Sequence, residues 1–108
     1  MLVLGDVNST GYRDNSYRER DAIHSVVEQA GFRVLTPNLG CTEYFQPEGL
    51  SSFMPSHLDH IVGSAQVTSS APARALGICE TLRCAPTRVM PRDYAAVSDH
   101  CPVTLTVK

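Results

Sequence analysis

Apolar and polar positions alternate at the end of the chain. Val103, Leu105 and Val107 interleave with Thr104, Thr106 and Lys108, which predicts a strand with one buried face. The chain opens differently, on the continuous apolar run Met1-Leu2-Val3-Leu4, the pattern of a strand covered on both faces. In between, the period changes. Ala22, Ile23, Val26, Val27 and Ala30 recur at helical spacing and predict a buried stripe on a helix ending near Ala30. Ser16 and Glu19 form a capping box at its start. Gly31 suits the left-handed residue beyond its end, with Phe32 as the hydrophobic contact. His24, beside the stripe, reads as a surface residue.

The remaining strands are shorter. Phe32–Thr36 alternates until Pro37-Asn38 stops it, and Thr42–Phe45 allows a short strand before the turn residues Pro47-Glu48-Gly49 and Ser51-Ser52. Over His57–Ser64, Leu58, His60 and Val62 share one face and His57, Asp59, Ile61 and Gly63 the other. Asp59 therefore lies within a strand beside Ile61, where an unpaired carboxylate is costly, so it requires a partner. Gln66–Ser70 extends the strand pattern, Ala71–Ala73 turns, and Arg74–Cys79 reads as a strand or irregular edge. Cys79–Asp93 reads as a long loop carrying Arg83, Arg88 and Arg92; loops of that length in compact domains tend to be functional.

A chain of 108 residues is one small domain. Its net charge of −2 argues against a free-standing duplex-DNA binder but leaves a small phosphorylated substrate open. With no leader-like pattern and no apolar run of membrane-spanning length, a cytoplasmic protein is expected. Cys41, Cys79, Cys84 and Cys101 show no CxxC spacing. Free buried thiols are the expectation, with a local Cys79–Cys84 bond or a partial metal site as alternatives.

Three stretches carry candidate chemistry. Gly5-Asp6-Val7-Asn8 closes the first strand, and an extended backbone points Asp6 and Asn8 the same way. Leu58-Asp59-His60-Ile61 places a carboxylate in mid-strand. Ser98-Asp99-His100 sets a carboxylate beside an imidazole just before the last strand. Such pairs serve metal binding and acid–base work. In this order and spacing the three stretches resemble the second half of the endonuclease/exonuclease/phosphatase family, the deoxyribonuclease I-like phosphoesterases, over Met1 to Lys108. Val7 stands where that family has phenylalanine.

The resemblance implies an α/β (α+β) fold with a mixed, largely antiparallel sheet and one main helix, corresponding to half of a two-sheet sandwich. It implies a metal-dependent phosphoesterase in which Asp6 orients or deprotonates the attacking water and Asn8 holds a phosphate oxygen. Asp99 would ligate Mg²⁺ (or Mn²⁺), and His100 would bond the phosphoryl oxygen. Asp59 would accept a hydrogen bond from the other ring nitrogen of His100 and keep it cationic. Arg92 would contact the substrate, whether nucleic acid, nucleotide or phospholipid headgroup.

The family draws further site residues from an N-terminal half that this sequence lacks. Residues 1–108 are thus expected to form a single truncated domain of that type, weak or inactive alone, with weakly held metal. A homodimer or a complementing N-terminal half would cover its apolar face. The alternative is a non-catalytic phosphate- or partner-binding module derived from the same fold. A zinc site of His57, His60, His100 and a cysteine lacks the paired spacing of common zinc proteins. An acyl hydrolase using Ser98 or Cys101 with His100 would need neighbouring side chains on opposite faces of a strand to meet.

Overall fold

The computed structural model describes residues 1–7, 17–89 and 94–108. Ser16, Asn8 and Arg92, and with them the capping box and two expected substrate contacts, lie outside the described residues. The architecture is α+β with antiparallel pairing throughout the described ladders. A three-stranded sheet has the order β1 (Leu2–Asp6), β5 (Asp59–Ser64), β2 (Phe32–Val34). Two further pairs join β3 (Glu43–Phe45) to β4 (Met54–Ser56) and β6 (Arg74–Ala75) to β7 (Val103–Thr104). The helices are α1 (Tyr17–Gln29) and the single turn α2 (Ile78–Thr81).

Helix α1 ends as its sequence requires. Gly31 sits at φ +80°, a conformation in which a Cβ is costly, and its N–H donates to the Glu28 carbonyl at 3.0 Å. The stripe is shallower than its spacing suggests: Ile23 and Val27 are half-buried, while Ala22, Val26 and Ala30 are exposed. The helix packs mainly on β2, so only the residues facing that strand are covered. His24 is half-buried rather than on the surface, with its Nε2 enclosed.

Strand β1 departs furthest from expectation. All five of its residues are exposed, Leu4 at 65%. Among the described residues it forms an edge of the sheet, laddered to β5 alone, and an apolar run needs layers on both faces to be buried. The last strand shortens to Val103–Thr104, but the alternation survives: Val103 and Leu105 are half-buried and Thr104 and Thr106 exposed. Val107 is exposed and makes an isolated bridge to Ser69, which is all that remains of the strand expected at Gln66–Ser70. Strand β4 and helix α2 were not expected; the first contains Pro55 and the second replaces the start of the presumed Cys79–Asp93 loop.

The cysteines correct the sequence reading outright. Among the described residues none is free: Cys41 pairs with Cys84 and Cys79 with Cys101. Cys41, Tyr44, Phe53, Cys79 and Cys101 form the buried cluster, with Ile78, Leu82 and Tyr94 packed against it. Tyr44 is fully buried and donates its hydroxyl proton to the Ala85 carbonyl at 2.8 Å. A core built around two disulfides stabilises a chain too small for a large apolar interior, each bond contributing about 2–4 kcal/mol.

Candidate functional site

The site grows from the register of β1 on β5. Asp6 stands directly opposite Asp59, with Leu4 opposite Ile61. Like charges at directly opposed positions repel and destabilise a ladder, so a cationic group is needed between them. His100 supplies it. Its Nδ1 lies 2.7 Å from Asp59 Oδ2, and its Nε2 lies 3.8 Å from Asp6 Oδ2. Asp59 therefore has the partner that its place in the strand demanded. All three side chains are between about a quarter and two-fifths exposed, so a ligand in solution can reach them.

Partial burial lowers the His100 pKa, but the hydrogen bond to Asp59 and the charges of Asp59, Asp99 and Asp6 outweigh it and raise the pKa above the ordinary histidine value. The imidazolium form is favoured.

Backbone pairing delivers His100 to this position. The His100 N–H donates to Ser98 Oγ at 3.0 Å, closing a tight turn. The segment then runs along β3: Tyr44 N–H donates to the Asp99 carbonyl at 3.0 Å, Cys101 N–H donates to the Thr42 carbonyl at 2.7 Å, and His100 bridges Glu43. On the other side, Thr42 N–H donates to the Ser56 carbonyl at 2.8 Å. Thr42 Oγ1 accepts the N–H groups of Leu58 and Asp59 at 3.1 and 3.0 Å. Thr42 thus fixes the start of β5 and the backbone that carries the Asp59 carboxylate.

Glu43 and Thr42 are the residues that sequence reasoning missed. Glu43 is only 4% exposed and accepts a hydrogen bond from Ser56 Oγ, its partner across the β3–β4 ladder. Desolvation raises its pKa, with the charge of Asp99 adding to the shift. The only signal in the sequence was an acid within a possible strand at Thr42–Phe45.

Among the described residues, a group of three potential metal ligands is found: Asp6, Asp59 and His100, with ligand atoms within 4.8 Å of one another. Asp99, the expected ligand, lies outside that group; its charge acts on Glu43, Tyr94 and His100. Arg83 and Arg88 are exposed. A cleft of about 180 Å³ adjoins the site, lined by Leu4, Asp59, Ile61, Cys101 and Val103 among others.

No family model, no curated protein and no solved structure matches this chain. The site therefore has to be read from its own geometry. The carboxylates offer the hard oxygen donors that Mg²⁺ or Mn²⁺ prefers, whereas the His100 ring, bonded to Asp59 and favoured in its cationic form, offers no lone pair to a metal. The rival arrangements lose their components. Cys101 is bonded to Cys79 and cannot act as a nucleophile, and with all four cysteines paired none offers a zinc thiolate. His57 and His60 stack on each other, ring centroids 4.3 Å apart, rather than joining His100.

His60, within β5, is buried. His57, expected on the Asp59 face, precedes the strand, where the two-residue alternation does not hold, and is half-buried against His60 instead. Burial, together with the neighbouring His60 and opposed by Asp59, lowers the His57 pKa to about 4; burial and His24 lower that of His60. Asp59 lies between two neutral imidazoles in sequence but turns its carboxylate toward the charged one.

Proposed function

We propose that this chain carries part of a metal-dependent phosphodiester hydrolase site. The observation that supports the reading is the meeting of Asp6, Asp59 and His100 from three separate stretches of sequence, in the pattern of the deoxyribonuclease I-like phosphoesterases. Asp6 orients the attacking water and takes up its proton. Asp59 fixes the His100 tautomer through Nδ1, leaving the Nε2 proton directed toward a phosphoryl oxygen as its charge builds. Asp6 and the nearby Asp99 are the carboxylates that would hold Mg²⁺ or Mn²⁺; when bound, the cation would neutralise charge on the phosphate. Asn8 and Arg92 complete the proposed phosphate contacts.

With so few donors among the described residues, metal binding is weak and turnover by the isolated chain slow. The test is Mn²⁺ titration followed by NMR, alongside hydrolysis of bis(p-nitrophenyl) phosphate. Selective broadening of His100 and Asp6 signals, weakened about tenfold in Asp6→Asn, with slow EDTA-sensitive hydrolysis, is expected. Absence of site-specific broadening sinks the metal reading. Broadening with no turnover at all favours the non-catalytic phosphate-binding module.

The described fold contains no helix long and apolar enough to cross a membrane. A cytoplasmic setting is expected from the lack of a leader-like pattern and of a membrane-spanning run, and free thiols are expected in turn; the two disulfides weigh against that setting.

The partner proposed for this chain is a second copy. Leu2, Val3 and Leu4 are exposed on β1, an edge strand among the described residues, with no charged side chain before Asp6. An uncharged edge invites pairing with an identical strand about a two-fold axis. Light scattering across micromolar concentrations should show a dimer that Val3→Lys disperses; a monomer throughout rules the pairing out.

A further inference from the structure

We propose that the two disulfides form a redox clasp on the Asp59–His100 pair, so that the site assembles only where thiols are oxidised. The half-cystines are placed beside the residues that build the site. Cys101 immediately follows His100, and Cys41 immediately precedes Thr42, whose hydroxyl receives the N–H groups of Leu58 and Asp59. Their partners, Cys79 and Cys84, both belong to one short segment around α2. That segment is bonded at one point to Cys101, just after His100 and ahead of β7, and at the other to Cys41, just ahead of β3. It therefore closes a bracket around the two backbone runs whose alignment brings His100 to Asp59.

The bracket adds a covalent tie to a sparse set of bonds: the His100 run is anchored downstream by the bond from Leu76 N–H to the Pro102 carbonyl and by the β6–β7 pair. The His100 segment is joined to β3 by a single bridge, Glu43 to His100, made of the bonds from Cys101 N–H to the Thr42 carbonyl and from Tyr44 N–H to the Asp99 carbonyl. Cys41, Cys79 and Cys101 make up three of the five residues of the buried cluster beneath them. The clasp segment also adopts a disfavoured backbone conformation, closed by bonds such as that from Cys84 N–H to the Cys79 carbonyl. Arg83 and Cys84 occupy the left-handed region in succession, at φ +50° and +57°, where side chains other than glycine are disfavoured. The bond to Cys41 retains Cys84 there.

Opening the clasp is a two-electron step at each bond. A dithiol reductant gives up two electrons and two protons, each S–S bond becomes two thiols, and the reductant closes to its own cyclic disulfide. Cytosolic thiol pools keep most such cysteines reduced, whereas secreted and periplasmic proteins retain them as disulfides. The arrangement assigns this chain to an oxidising compartment.

The inference is independent of the phosphoesterase reading, and its test reads the imidazole rather than turnover. The whole chain is produced in an oxidising and in a reducing compartment, alkylated without prior reduction, and weighed. In parallel, the ring-nitrogen shifts of His100 report the Nδ1 bond to Asp59. Oxidised protein is expected to take up no alkyl group and to show a hydrogen-bonded His100 ring. Dithiothreitol treatment should expose four thiols and erase that ring signature. Cys79→Ser combined with Cys101→Ser, which keeps the other bond, should erase it as well. Two results overturn the proposal: free thiols at these four positions in protein from the oxidising compartment, or a fully reduced chain whose His100 ring still shows its bond to Asp59.

Discussion

Replacing His100 with alanine should lower Mg²⁺-dependent hydrolysis of a phosphodiester by roughly 10²–10⁴-fold, the usual contribution of a positioned acid–base group. Asp59→Asn separates orientation from charge. The asparagine keeps the size of the side chain but removes the negative charge beside Nδ1 that helps raise the His100 pKa. Activity that needs the imidazolium should then fall away at lower pH than in the native chain, with the alkaline limb of the profile displaced toward acid. An NMR titration of His100 checks the cause directly. An unchanged His100 pKa in Asp59→Asn would show that the 2.7 Å contact does not control the ring.

Acid should destabilise the fold through the other two histidines of β5's neighbourhood. His57 is held neutral, with its pKa lowered from 6.5 to about 4. The unfolded chain therefore takes up a proton in a pH range where the folded chain does not. The cost is absent above about pH 7, grows as pH falls through 6.5, and levels off below about 4. It reaches about 3 kcal/mol for a shift of this size. His60 acts in the same direction.

Glu43 and His100 act in the opposite direction. Both have raised folded pKa values: acidification relieves the buried Glu43 carboxylate, and His100 contributes stability while protonated. The histidine contribution is isolated by comparing urea unfolding of the native chain and His57→Gln at pH 7 and pH 4.5. The native chain should lose more stability between the two than the variant. Equal losses would refute the assignment. The groups around His57 that enter the comparison are Arg20 from α1, Asp59 and His60.

Much of this was written in the chain. The two-residue period separated Asp59 from His60 within β5, though it failed at His57, which lies ahead of the strand and stacks on His60. The cost of a lone carboxylate in a strand required a partner for Asp59, which proved to be His100. Gly31 marked the end of α1 through a backbone conformation in which a side chain is costly. These are local rules, readable from spacing and residue type.

What escaped depends on the third dimension. The apolar run at Met1–Leu4 announces a strand but does not say whether layers cover it, and here its residues are exposed. Cysteine pairing is decided by which segments meet, and the two bonds join residues 43 and 22 positions apart. Strand β4 is held by cross-strand pairing to β3 despite Pro55, a residue that argues against a strand when read alone. Glu43 and Thr42 matter because of neighbours that no sequence window contains.

The opposition of Asp6 and Asp59 ties the proposed site to the alignment of β1 on β5. If β1 slid along β5 by a single position, Gly5 or Val7 would face Asp59 and the Asp6 carboxylate would turn to the opposite face of the sheet. The strand would remain laddered and its overall strand content unchanged, yet the site would be gone. Loss of activity in a preparation with normal circular dichroism would then be the signature of a slipped strand rather than of unfolding.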